Sequence, residues 1–216
     1  TFAVQNTGKI TVTPKVIDVV ATTTSREYDG TLALTPDLTV TTGLNDANGN
    51  AQELTVSFDT AAFDNKNAGS RNFTVSGIGL GDGANGLASN YALRSTSIAG
   101  VGTIDKRVID ATVTGTKVYD GTTSLANPIA MVDNVVGNER VGVNLTATFN
   151  SENVAYDANN AITSQALTIS NDVLTGADAF NYTVTGANYT ASGTITPKNL
   201  MLSPTATATK VYDGTN

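Results

Sequence analysis

The residues of this sequence that could do chemistry carry oxygen rather than sulfur or imidazole. Asp46-Ala47-Asn48-Gly49-Asn50 sets Asp46, Asn48 and Asn50 at alternate positions, as in the first half of a calcium-binding loop. The sixth position is Ala51 and the twelfth Ser57, where such a loop requires glycine and an acid. An Asn-Gly hairpin is therefore the competing reading. Asp64-Asn65-Lys66-Asn67 and Asp157-Ala158-Asn159-Asn160 also present oxygen ligands, but Lys66 would repel a cation from the first. Gly81-Asp82-Gly83-Ala84-Asn85-Gly86 spells G-x-G-x-x-G. A dinucleotide site needs a helix after those glycines, and Leu87-Ala88-Ser89-Asn90-Tyr91 reads as a loop returning to a strand. Sequons fall at Asn72, Asn144, Asn181 and Asn188, as expected by chance in a chain this rich in Asn and Thr. For a carbohydrate- or receptor-binding face the aromatic candidates are Tyr156, Phe180 and Tyr189.

Absences narrow the field further. The 216 residues include no cysteine, histidine or tryptophan. Ser-His-Asp and Cys-His catalysis are excluded, as are ordinary zinc, haem and iron–sulfur sites. Nothing singles out two of the 19 acids as a glycosidase pair. The expectation is a non-enzyme without a required cofactor, calcium being the one ion its oxygen loops could take. A net charge of -7 with scattered lysines argues against nucleic-acid binding. No apolar run approaches the ~18 residues of a membrane span. An acidic, Lys-poor, Thr/Asn/Gly/Ser-rich chain reads as extracellular.

The elements that would position these residues repeat. Tyr28-Asp29-Gly30-Thr31 recurs as Tyr119-Asp120-Gly121-Thr122 and as Tyr212-Asp213-Gly214-Thr215, spaced by 91 residues (28 to 119) and 93 residues (119 to 212). Thr116-Lys117-Val118 precedes the second motif and Thr209-Lys210-Val211 the third. Thr11-Val12-Thr13-Pro14-Lys15, Thr103-Ile104-Asp105-Lys106 and Thr194-Ile195-Thr196-Pro197-Lys198 lie upstream, and Asn90-Tyr91 matches Asn181-Tyr182. The middle aligns less closely, with Phe63 and Asn67-Ala68-Gly69 against Phe149 and Asn153-Val154-Ala155. This divides the chain into the end of a preceding repeat (1–14), repeat 1 (15–106), repeat 2 (107–198) and the start of a third (199–216). The Thr-Pro-Lys segments read as short, stiff junctions, since proline fixes φ.

Within each repeat, apolar and polar residues alternate, as in Leu54-Thr55-Val56-Ser57-Phe58 and Leu167-Thr168-Ile169-Ser170. Period two with β-branched residues predicts half-buried strands. Thr fills 36 positions, favouring strands while keeping their outer face wet. Asp-Gly and Asn-Gly pairs mark the turns. Residues 128–136 read as a short helical turn, the one departure from strand. The fold expected is mainly β: tandem small β-sandwich (Ig-like) or β-grasp-like domains, end to end. In the repeated motif the tyrosine should bury its ring and bond its hydroxyl, the aspartate cap the turn, and the glycine take positive φ.

Lys117-Val118-Tyr119-Asp120-Gly121-Thr122-Thr123, Thr146-Ala147-Thr148-Phe149, Gly176-Ala177-Asp178-Ala179-Phe180-Asn181-Tyr182-Thr183 and Ile195-Thr196-Pro197-Lys198 together resemble the YDG repeat, related to the MBG repeats, of large bacterial surface proteins. The likeness covers nearly the whole chain. Repeat 1 departs from it in carrying Arg26-Glu27 for Lys-Val and a larger loop at Gly81–Gly86. The resemblance implies a tandem-repeat segment of a secreted adhesin of the filamentous-haemagglutinin, two-partner-secretion type. It implies no catalytic residues, and export in an unfolded state, which a thiol-free chain suits. The expected role is an elongated, monomeric stalk at the cell surface, in contact with neighbouring repeats. Repeats that themselves bind polysaccharide or a protein receptor are the alternative.

Overall fold

The computed structural model describes residues 8, 11–22, 24–41, 43–46, 48–203 and 209–214. It is mainly β, and the described residues contain no α-helix, only 3-10 turns at Ala88–Asn90, Ala179–Asn181 and Gly186–Asn188. The alternation does what period two requires: in Gly69–Ser76, Phe73 and Val75 point into the core, and in Asp110–Val118 Ala111 and Val113 do so. One expectation fails. The segment read as a helical turn at 128–136 contains the strand Ile129–Asp133, paired at the edge of a sheet. Its Ile129-Ala130-Met131-Val132 run is too short to show helical periodicity, and the free sheet edge decides its state.

The chain forms two compact units. Unit 1 comprises residues 1–109, 133–142 and 174–185, and unit 2 residues 110–132, 143–173 and 186–216. Two segments of the second sequence repeat thus fold as part of unit 1. Unit 1 holds a four-stranded sheet in the order Ser25–Glu27, Ser97–Asp105, Gly69–Ser76, Thr60–Phe63, flanked by two-stranded ribbons. Its core includes Ile17, Tyr28, Phe63, Phe73, Val75, Ile104, Ile109 and Tyr182. The Phe63 and Phe73 rings meet edge to face at 6.4 Å. Unit 2 holds a six-stranded sheet in the order Ser124–Leu125, Gly142–Phe149, Gln165–Thr175, Tyr189–Thr196, Asp110–Val118, Ile129–Asp133. Val113, Leu125, Ala147, Phe149, Leu167 and Ile195 form its core.

Both repeats share one strand logic. The motif-bearing strand lies parallel to the last long strand, which pairs antiparallel to the one before it. The registers agree: Arg26 lies opposite Ile104, and Lys117 opposite Ile195. A second short parallel pair also recurs, Lys15–Ile17 with Tyr91–Leu93 and Arg107–Val108 with Tyr182–Thr183. Sheets that join parallel and antiparallel strands differ from the purely antiparallel pairing of an immunoglobulin-type sandwich. The parallel pairing delivers each Tyr-Asp-Gly motif to the end of a sheet, where the strand becomes a turn.

Candidate functional site

At the first motif the Tyr28 N–H donates to the Asp105 carbonyl at 2.9 Å, the last rung of the parallel pair. The chain then turns at Gly30, whose φ of +78° lies in the region that favours glycine. Asp29 Oδ1 accepts from the Thr31 N–H and hydroxyl, both at 2.8 Å. Arg26 Nη1 reaches the same oxygen at 2.6 Å, and Arg26 also donates to the Glu27 and Thr31 carbonyls. Its guanidinium lies 5.7 Å from the Phe63 ring centroid. The second motif repeats this arrangement. The Tyr119 N–H donates to Thr196 O at 2.8 Å, Gly121 has φ +77°, and Asp120 Oδ1 accepts from the Thr122 N–H at 2.9 Å and hydroxyl at 2.8 Å. Lys117 Nζ pairs with Asp120 at 2.6 Å and donates to the Thr122 and Ser124 carbonyls, each at 2.9 Å. Lys210 and Asp213 form the pair again at 3.0 Å, beside Gly214 at φ +79°.

The working unit is therefore a basic residue, Tyr, Asp, Gly and Thr, in which the cation three places before the aspartate clasps the turn. Lys117 and the Thr122 N–H and hydroxyl hold the Asp120 carboxyl down at about 2. Burial pushes Asp29 up, but the Thr31 donors and Arg26 outweigh it and leave its carboxyl below the ordinary range. Arg26, a departure from the repeat in the sequence, does the work of Lys117 here. The recurrence of a cation at 26, 117 and 210 was the signal that could have found it.

The tyrosines of the motif differ. Tyr28 is 0 % exposed, and its hydroxyl donates to Glu139 Oε1 at 2.5 Å. The Tyr182 hydroxyl donates to Glu139 Oε2 at 2.6 Å and accepts from the Val136 N–H at 2.9 Å. The two rings meet edge to face at 5.5 Å. Lys66 stands 3.6 Å from Glu139, and fully buried Asn181 accepts from the Ala68 N–H at 2.8 Å. Burial, and then the bond to Glu139, push both phenols up, Tyr182 to about 12. Burial raises the Glu139 carboxyl, but the two hydroxyls and Lys66 outweigh it and lower it overall. All these residues lie in unit 1. Tyr119 is instead 38 % exposed, and Tyr212 almost wholly so. Glu139, in the poorly aligned middle of the repeat, gave no signal in the sequence.

The remaining candidates do not converge. Asp46 Oδ1 accepts the Asn48 and Asn50 N–H groups and Oδ2 the Asn50 amide, all at 2.8 Å, so both carboxylate oxygens already bind donors. Asp157 makes the same turn with the Asn159 and Ala161 N–H groups. No group of three or more acids able to hold a metal ion occurs among the described residues. Gly83 and Gly86 bridge each other across a tight turn and sit where a Cβ would meet the Glu53 carbonyl. They serve close backbone approach, and a single 3-10 turn at Ala88–Asn90 and then the short strand Tyr91–Leu93 follow in place of a phosphate-binding α-helix. Tyr156 is exposed beside Tyr119, and Tyr189 is half-buried with its hydroxyl on Asp172 at 3.0 Å. Phe180 is exposed in unit 1, whereas Tyr156 and Tyr189 lie in unit 2. Asn181, one of the four sequons, is buried.

Fold and site together define a tandem array of small mixed-sheet β units, each closed by a cation–aspartate–threonine turn. The YDG domain model matches residues 13–98 and 105–192, and the chain belongs to that family. No curated protein and no solved structure matches it.

Proposed function

We propose that this chain is a non-catalytic spacer: a tandem-repeat segment of a secreted bacterial surface adhesin that extends and presents the protein for cell adhesion or biofilm formation. The observation that carries the reading is the presence of two YDG domains covering most of the chain. Their recurrent side-chain constellation is spent on the turn itself, because the Asp120 carboxylate is held by Lys117 and Thr122. A spacer needs stiffness, and hydrogen-bonded turns of fixed geometry supply it without thiols or a cofactor. Its partners are then neighbouring repeats and, beyond them, an extracellular surface.

Small-angle scattering tests the proposal. Two repeats of roughly 40 Å each, end to end, make a rod of about 80 Å with a radius of gyration above ~23 Å. A compact chain of this length would give about 17 Å. The spacer reading expects the larger value in a monomer. The smaller value, or a catalytic turnover abolished by changing Asp29 or Asp120, would overturn it.

A further inference from the structure

Tyr28 and Tyr119 occupy the same place in the same turn, yet one is sealed and the other open. The difference extends to their surroundings. A Cβ at Gly30 would come within 2.9 Å of Val136, whereas at Gly121 nothing lies within 4 Å. The backbone at Ala68 is bonded by Asn181, while its sequence counterpart Val154, with Asn153, lines an open groove. That groove of about 470 Å³ is also lined by Tyr119, Tyr156 and Leu200. Leu200 follows Lys198 by two places as Ile17 follows Lys15, yet Ile17 is 1 % exposed and Leu200 85 %. Around Tyr28 the contacts come from residues 133–142 and 174–185 of the second sequence repeat, which belong to unit 1: Val136 faces Gly30, Glu139 and Tyr182 meet Tyr28, and Asn181 bonds Ala68.

The covering surface recurs too. In the second repeat it is Asn181, Tyr182 and Glu139. In the first, Asn90 and Tyr91 match Asn181 and Tyr182, and the Tyr91 hydroxyl donates to Gln52 Oε1 at 2.5 Å as Tyr182 does to Glu139. Here Asn90 is exposed, where Asn181 is buried. Each repeat thus carries a seat (the motif tyrosine, its glycine and the Asn-Ala or Asn-Val backbone) and a plug (an Asn-Tyr pair backed by Glu or Gln). A seat and a plug made of different residues make a heterologous contact, which propagates instead of closing on itself.

We infer that the groove at Tyr119 is a docking seat for a further YDG repeat joined after Asn216, whose Asn-Tyr pair and facing Glu or Gln would cover Tyr119 as Asn181, Tyr182 and Glu139 cover Tyr28. The motif tyrosine is then the fastener between consecutive repeats. This rests on the spacer reading and names how its members are joined.

The test uses the full chain and one extension. By the motif spacing, Asn216 corresponds to Thr123, so appending a copy of residues 124–198 after Asn216 completes a third repeat. Both proteins are treated with tetranitromethane, and nitration at each tyrosine is read by peptide mass spectrometry. In the 216-residue chain Tyr119 is nitrated and Tyr28 protected. In the extended chain Tyr119 becomes as protected as Tyr28, and replacing the appended copies of Asn181 and Tyr182 by alanine restores its reactivity. Equal nitration of Tyr119 in both proteins overturns the inference. So does an appended repeat that stays unfolded by circular dichroism, because docking is what should hold its covering segments. Protection of Tyr119 that rises with concentration in the 216-residue chain assigns the groove to a second copy and overturns it likewise. A compact scattering profile would sink the spacer reading while leaving this nitration pattern intact, so the two failures are distinct.

Discussion

Removing the Glu139 carboxylate separates the two tyrosines of the repeated motif most sharply. Its side chain is only 13 % exposed and accepts hydroxyls from Tyr28 at 2.5 Å and Tyr182 at 2.6 Å. Hydrogen bonds to an ionised acceptor contribute about 1.5–3 kcal/mol each, and a buried hydroxyl left without a partner costs about 1–3 kcal/mol. Glu139→Ala strands two such hydroxyls, although Tyr182 keeps the Val136 N–H as a donor to it. The expected loss is about 2–5 kcal/mol in the stability of unit 1. Tyr28→Phe deletes one donor and leaves the carboxylate with Tyr182 and Lys66, for about 1–2 kcal/mol. Tyr119→Phe alters an exposed hydroxyl and should stay within about 0.5 kcal/mol. Urea unfolding followed by far-ultraviolet circular dichroism measures all three, with the two units fitted as separate transitions. In Tyr28→Phe/Glu139→Ala the costs should fall short of additive, by about 1–2 kcal/mol, because both remove one bond. Equal costs for Tyr28→Phe and Tyr119→Phe would refute the reasoning, since they would show that the motif tyrosine acts within its own turn. A Glu139→Ala cost below about 1 kcal/mol would refute it as well.

The same cluster sets the pH limits. Tyr28 and Tyr182 have raised phenols, Tyr182 at about 12, against an ordinary 10.0. Their contribution is complete below about pH 10 and lost as pH climbs through 10 towards the folded-state values, where the unfolded chain binds fewer protons. Glu139 and Asp120 have lowered carboxyls, so their contribution is complete above pH 4.5 and lost as pH falls towards the Asp120 value of about 2. A plateau between these limits is expected. Tyr182→Phe should flatten the alkaline limb, and an unchanged limb in that variant would count against the cluster. For the turn, Lys117→Met keeps the aliphatic stem but leaves the Thr122 and Ser124 carbonyls without their donor, for about 1–2 kcal/mol. It should also let the Asp120 carboxyl rise, as read by NMR titration, whereas Arg26→Lys should be nearly neutral. A large loss in Arg26→Lys would show that the two cations are not equivalent.

What could be read from the sequence was local. Alternation at Gly69–Ser76 and Asp110–Val118, and the glycines at 30 and 121, follow from side-chain period and φ alone. The parallel registers could not be read, because a parallel pair is joined by a long connection whose composition does not encode which strand it returns to. Nor could the role of Glu139, since it lies more than 40 residues from Tyr182 and 110 from Tyr28 in a segment where the repeats align poorly. The different fates of Tyr28 and Tyr119 are beyond any local reading: both stand in the same Tyr-Asp-Gly-Thr turn, and what folds against them differs. The strand at Ile129–Asp133 is a milder case of the same kind, where a neighbouring edge chose the conformation.

That contrast explains why the repeated residue is tyrosine rather than phenylalanine. The cation, aspartate and threonine are satisfied by their own turn in both units, so they fold the repeat whatever lies beyond it. The aromatic ring is not. Where a carboxylate faces it, as at Tyr28, a phenol adds a directed hydrogen bond to the apolar area it buries; where the residue is partly exposed, as at Tyr119, a phenol is less apolar than a bare phenyl ring. Phenylalanine at 119 would present a wholly apolar ring beside exposed Leu200 and Tyr156, an adhesive patch open to any partner. Phenylalanine at 28 would leave Glu139 Oε1 with Lys66 alone, at 3.6 Å. Tyrosine, with an apolar ring and a polar hydroxyl, suits both the buried and the partly exposed position.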